Sequence, residues 1–263
     1  MCVLPLLRLL RVMAIPGLPH LTLLQWAVAF VSASVIGISK TGIPGSGILA
    51  IPAMALILPA RQSVGVVLPM LIFADLFAIA AYRRHARWSA LVRLFPWAAV
   101  GVVIGFLCMG RVNDRQLQPV LGAIILAMLA LQRWLSSSPE RQRIPGRWWF
   151  AGLIGLLAGT TTMLANAAGP VMMVYLLAMR LPKSEFLGTG AWYFFLMNWF
   201  KVPFSAHLGL ITPSSLLLDA VLVPGIAAGA LLGIPVARRI PQKAFTAAVE
   251  LLSAAAAVRL IAG

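Results

Sequence analysis

Acidic residues are nearly missing from this chain of 263 residues, with 6 aspartates and glutamates against 21 lysines and arginines. Charged side chains of both signs make up only 10% of the sequence. A soluble domain of this length needs far more charge to cover its surface, so an aqueous surface is excluded for most of the chain. Cysteine is also scarce. Cys2 and Cys108 have no ligand spacing and cannot build a disulfide framework. His20, His85 and His207 lack metal spacing as well. There is no Walker loop, no H-E-x-x-H and no G-x-S-x-G, so nothing calls for a metal, a cofactor or an enzyme's nucleophile. Long polar stretches are missing apart from S-S-S-P-E-R-Q-R-I-P-G-R, Ser136 to Arg147.

What remains is hydrocarbon. Hydrophobic residues are 61% of the chain and its mean hydropathy is +0.96. A membrane span needs roughly 17–25 mostly apolar residues. Leu18–Ile38, Gln62–Ala81, Leu91–Gly110, Gln116–Leu135, Trp148–Leu164, Phe186–Phe204, Ser215–Val236 and Ala244–Ala262 meet or approach that length. Ile48–Pro59 and Gly169–Met179 are shorter, apolar and rich in Gly or Pro. The expectation is an all-α, polytopic membrane protein whose main partner is the lipid bilayer. The formal net charge of +15 does not point to nucleic acid, because the basic residues sit in short loops between spans, as the positive-inside rule expects. In the N-terminal tail, residues 1–17, Arg8 and Arg11 fall inside an apolar run rather than before it, so the tail reads as interfacial and not as a cleaved signal.

The polar stretch at 136–147 reads as a cytoplasmic linker between two related transmembrane repeats, 18–135 and 148–263. Leu58-Pro59 and Leu181-Pro182 stand 123 positions apart, and so do Gly65 and Gly188, Asp75 and Asn198, and Phe77 and Phe200. One position later in register, Gly101-x-x-x-Gly105 matches Gly225-x-x-x-Gly229. Each repeat has a span, a polar Gly-rich break that is broken or re-entrant, a short segment and about three further spans. Inverted repeats with the N-terminus outside put twice as many lysines and arginines in the cytoplasm as outside. A parallel arrangement with the N-terminus inside gives a smaller bias and stays open.

The breaks are where chemistry is expected. The first is S-K-T-G-I-P-G-S-G, Ser39 to Gly47, and the second is T-T-T-M-L-A-N-A-A-G-P, Thr160 to Pro170. Interrupted segments at matching places in two repeats point to a transporter's binding site, since non-helical backbone at membrane depth must be buried in protein or line a watery cavity. Lys40 is the sharpest residue. A lysine at the bilayer centre costs about 2.5–3.5 kcal/mol unless it is paired or hydrated. With Ser39, Thr41, Gly45, Ser46 and Gly47 it makes a candidate anion site, helped by amides at the start of a half-helix; the plain alternative is a lysine reaching back to the headgroups. The second break contributes Thr161, Thr162, Asn166 and Gly169, although helix-to-helix hydrogen bonding would also explain them. Asn198 and Lys201 lie a turn apart on one helix face and are further candidates for binding the anion, with an interfacial anchor as the alternative for Lys201. Asp75 is the acidic residue deepest in a span, a candidate for proton coupling or for pairing with Lys40. Asp114, Glu140, Glu185 and Asp219 fall at loop edges. The aromatic run Trp192–Phe195 and the methionines 163, 172, 173 and 179 read as packing.

Several of these strings resemble the TauE/SafE family of sulfite exporters, also called the toluenesulfonate uptake permease family. They are K-T-G-I-P-G-S-G-I-L-A-I-P, L-P-A-R-Q-S-V-G-V-V-L-P-M-L-I-F-A-D, Y-R-R-H-A-R-W and T-T-M-L-A-N-A-A-G-P-V-M-M-V-Y-L-L-A-M-R-L-P-K-S-E-F-L-G-T-G-A-W. Many members carry G-x-G-G-G in each break; here only Gly159 and Gly169 flank the second. The resemblance implies a multi-pass protein of the cell (inner) membrane that carries sulfite, organosulfonates or related small anions without ATP. The leading expectation is a secondary transporter working by alternating access, with the anion between the two breaks. An anion channel, or a carrier of another small organic anion such as a carboxylate, is the alternative. A homo-oligomer stays open.

Overall fold

The computed structural model describes residues 18–42, 45–137, 148–179, 181–239 and 242–262. The expected tail at 1–17 and most of the linker, 138–147 with Glu140, lie outside them, as do Ile43 and Pro44 of the first break. All the regular structure described is helical: α1 (Leu23–Thr41), a 3-10 turn (Ser46–Leu49), α2 (Ala50–Ile57), α3 (Ala60–Tyr82), a second 3-10 turn (Arg83–His85), α4 (Trp88–Met109), α5 (Asp114–Ser136), α6 (Trp148–Ala165), α7 (Gly169–Ala178), α8 (Lys183–His207), α9 (Pro213–Arg239) and α10 (Gln242–Ala262). Five of these, α1, α3, α4, α5 and α9, are long and apolar enough to cross a membrane. Their outward faces carry bare hydrocarbon such as Leu24, Val92 and Leu231, which suits lipid and not water.

The first span begins at Leu23 rather than Leu18, because Thr22 caps it: its hydroxyl accepts from the Gln25 amide, and the Gln25 side chain accepts from the Thr22 amide. Asn113 and Gln116 form the same reciprocal cap on α5. Both breaks are narrower than their sequences suggest. Ser39, Lys40 and Thr41 belong to the last turn of α1, and Thr160 to Ala165 to the end of α6. A helix satisfies its own backbone bonds, so it continues through polar residues in a span. The left-handed Asn166, φ 52°, directly follows α6, whereas α1 ends at Gly42, whose amide donates to the Ile38 carbonyl, and the left-handed Gly45, φ 89°, leads into the 3-10 turn.

Helix directions follow from close glycine contacts. A Cβ on Gly225 would meet Phe30 and Ala33, one on Gly229 the Ser34 carbonyl, and one on Gly233 the Thr41 side chain. So α9 runs alongside α1 in the same direction. Likewise Gly101 abuts Leu156 and Gly159, and Gly105 abuts Thr160 and Met163, so α4 runs with α6. Without water to drive helices together, such small-residue approaches supply the packing. In contrast α3 and α8 are antiparallel, with Gly65 against Leu210 at one end and Gly188 against Tyr82 and His85 at the other. α5 and α10 are antiparallel too, since Arg133 pairs with Glu250 while Gly122 meets Ala257. The Tyr82 hydroxyl donates to the Thr41 carbonyl, which puts the ends of α1 and α3 on one side. Accordingly α1, α3, α5 and α9 run one way, and α4, α6, α8 and α10 the other. On the side where α3 begins, the Arg61 guanidinium donates to the Met109, Val112 and Leu208 carbonyls and ties two loops together.

Candidate functional site

At the centre α3 meets α8, and here the deepest charges gather. Lys40, from the last turn of α1, places Nζ 2.6 Å from Asp75 Oδ1, whose side chain has no exposure at all. The other carboxylate oxygen accepts from Asn198 Nδ2 at 2.8 Å. Lys40 Nζ also lies 4.3 Å from the centroid of the Phe194 ring, where the π face stabilises a cation. The carboxylate is therefore held by two donors, one charged, as a buried anion requires.

Lys201, one turn beyond Asn198, turns to a different helix. Its Nζ meets the Thr162 carbonyl and hydroxyl, each at 3.0 Å, and Asn166 Oδ1 at 2.6 Å. Asn166 in turn donates Nδ2 to the Val64 carbonyl of α3. The second break is thus bound to α8 through Lys201 and to α3 through Asn166.

A cavity of about 120 Å³ opens between the two breaks, large enough for several waters or one small organic anion. Its polar lining comes from Ser39, Lys40, Thr162, Asn166 and Asn198, with Gly45, Gly47 and Gly169 leaving backbone open to it. The rest is apolar and includes Ile51, Leu71, Met172, Met173, Leu176 and Phe194. Of the expected site residues, Ser39, Lys40, Gly45, Gly47, Thr162, Asn166, Gly169 and Asn198 are lining residues. Thr41 is not among them; its hydroxyl donates to the Ala230 carbonyl at 2.7 Å and ties α1 to α9. Thr161 donates back to the Leu157 carbonyl of its own helix. Ser46 is buried in the 3-10 turn. Lys201 and Asp75 stand behind the lining, each in contact with residues that form it.

Some features were not legible as site components. Phe194, Met172 and Met173 read as packing, and only the approach of α1 and α7 to α8 makes them cavity wall. Asp219, expected at a loop edge, is instead 7% exposed within α9, and neither carboxylate oxygen has a hydrogen-bond partner among the described residues. It lies in the second turn of α9, a helix that packs on both α1 and α3.

Residues 26–260 match a family model described as Sulfite exporter TauE/SafE. No curated protein and no solved structure matches.

Proposed function

We propose, on the premise that this chain belongs to the TauE/SafE sulfite exporter family, that it is a secondary transporter of small sulfur-containing oxyanions such as sulfite or organosulfonates. Family membership carries the coarser statement, a multi-pass membrane protein of a transporter family. The finer reading rests on one observation, a cavity between the two breaks with a lysine on its wall and that lysine's counterion directly behind. An empty site with an unpaired lysine would be costly at this depth. Asp75 removes the cost by standing in for the substrate, and an incoming anion competes with it for Lys40.

The apolar lining favours an anion with a carbon substituent over a bare inorganic one, since a bare ion gains nothing from hydrocarbon walls. Alternating access is supported by the packing. The long helices α1, α3, α4 and α5 run opposite to α6, α8, α9 and α10 respectively, and α1 packs with α9 as α6 packs with α4. That is the arrangement expected of inverted repeats exchanging partners, with the substrate at their interface.

Proteoliposomes offered sulfite, thiosulfate, sulfoacetate, sulfate and simple carboxylates test this reading. Saturable flux of sulfite or sulfoacetate, steeply dependent on temperature, is expected. Non-saturating flux indicates a channel, and preference for carboxylates moves the substrate class.

A further inference from the structure

Lys201 is 1% exposed, and no carboxylate lies within hydrogen-bonding distance of it among the described residues. Its three partners are neutral oxygens. The Asn166 amide is oriented independently, because its nitrogen donates to the Val64 carbonyl and leaves the oxygen for the lysine. The Thr162 carbonyl and Asn166 Oδ1 can only accept. The Thr162 hydroxyl can accept or donate.

That difference allows two states. A charged ammonium uses three hydrogens, one to each oxygen. A neutral amine gives its two hydrogens to the carbonyl and the amide oxygen, and its lone pair accepts from the Thr162 hydroxyl. Only the hydroxyl hydrogen rotates; no heavy atom moves. Asp75 lacks this freedom. Its oxygens face the Lys40 ammonium and the Asn198 amide nitrogen, which both donate, so protonating it means losing the ion pair and turning the amide.

We propose that Lys201 is the site of the coupling proton, which it takes up and releases through the Thr162 hydroxyl as the transported anion binds and leaves. On release the ammonium passes one proton to the hydroxyl oxygen while the hydroxyl passes its own to a water in the cavity that Thr162 lines. The hydroxyl then points back at the neutral amine, in the arrangement described above.

The charged groups that act on Lys201 are Asp75 on α3 and Lys40 on α1. α6 carries no ionisable side chain. α7 has Tyr175, whose hydroxyl is bound to the Ala90 carbonyl. α4 has Arg93 and Cys108, both exposed. The 3-10 turn at Arg83–His85 packs on α8, where Gly188 meets His85 more than three turns before Lys201. On α8 itself the ionisable groups are Lys183 and Glu185 in its first turn, the buried Tyr193 and the exposed His207. With the cavity empty, Lys40 and Asp75 neutralise one another. A bound anion adds one negative charge beside Thr162 and Asn166, which favours the ammonium. The proton therefore travels with the anion.

Purified protein without ligand is titrated potentiometrically across the interval between the ordinary carboxylate and lysine ranges, beside Lys201→Gln and Lys201→Arg. The parent is expected to bind one proton per chain more than either variant across that interval. Superimposable curves overturn the proposal. The second arm rests on the transport reading and uses sulfoacetate in proteoliposomes with an internal pH indicator. Parent protein should move protons with sulfoacetate. Lys201→Arg keeps the donors and the charge but cannot release a proton, so sulfoacetate should move without protons and with a flat pH profile. Persisting proton movement in Lys201→Arg overturns the proposal. If the parent moves no anion while the titration difference stands, the transport reading fails and Lys201 remains a proton site.

Discussion

Asn198 donates its side-chain amide to Asp75 across 2.8 Å, and the two residues are 123 positions apart in the chain. This is the offset that aligns Gly65 with Gly188 and Leu58-Pro59 with Leu181-Pro182. Two positions related by that offset are therefore in direct contact where α3 crosses α8. One side of the contact carries a carboxylate and the other a neutral amide, so the charge is asymmetric across it. Lys40 answers that charge.

Removing Lys40 should harm both binding and stability. Lys40→Ala leaves the carboxylate of Asp75 buried without its cation, and breaking a buried pair costs about 3–5 kcal/mol. Thermal unfolding in detergent should show a lower melting temperature for the single variant and recovery of most of it in Lys40→Ala with Asp75→Asn. Both variants should lose sulfoacetate binding, while Lys40→Arg should keep part of it. Parent-like affinity in Lys40→Ala would remove Lys40 from the site.

Asp75→Asn should act in the opposite sense on affinity. The substitution deletes the internal competitor for Lys40, so sulfoacetate should bind roughly tenfold tighter, about 1.4 kcal/mol. Equilibrium binding to the purified variant measures this. Weaker binding would mean that Asp75 orders Lys40 for the anion and does not compete with it.

The glycine contacts predict a matched pair of defects. Gly229→Val drives side-chain carbon into the Ser34 carbonyl, and Gly159→Val drives it into the Ala98 carbonyl. Backbone cannot yield as a side-chain tip can, so each should lose at least about 1–3 kcal/mol. Gly169→Ala is the control, because nothing lies within 4 Å of the added carbon. A melting temperature for Gly229→Val equal to that of the control would contradict the packing of α1 on α9.

Topology can be read with single cysteines on a background lacking Cys2 and Cys108. Opposed helix directions together with the positive-inside bias predict Arg84 in the cytoplasm and Arg111 outside. An impermeant thiol reagent should reach a cysteine at 111 in intact cells, and one at 84 only after permeabilisation. A label within 238–243 should behave like 84. Labelling there from outside would favour parallel repeats.

The sequence by itself determined the solvent, the helical class, the approximate spans and the two places where the chain stops being a helix. Those follow from composition and local chemistry: long apolar runs need lipid, and glycine, proline and asparagine mark the interruptions. It also singled out Lys40 and Asp75, because any ion at such depth is conspicuous. The extent of each break was less legible, since a helix in a span keeps its backbone bonds through Ser39, Lys40 and Thr41 despite their polarity. Only the tertiary structure decided what each polar side chain faces. Successive helix residues point about 100° apart, so Lys40 reaches Asp75 while its neighbour Thr41 bonds α9. Lys201 and Asn198 share a helix face yet meet α6 and α3 respectively. Phe194 became the partner of Lys40, and Asp219 became buried, through contacts between helices far apart in sequence. Such contacts depend on how small residues let backbones approach, and no local pattern records which pair of stripes will meet.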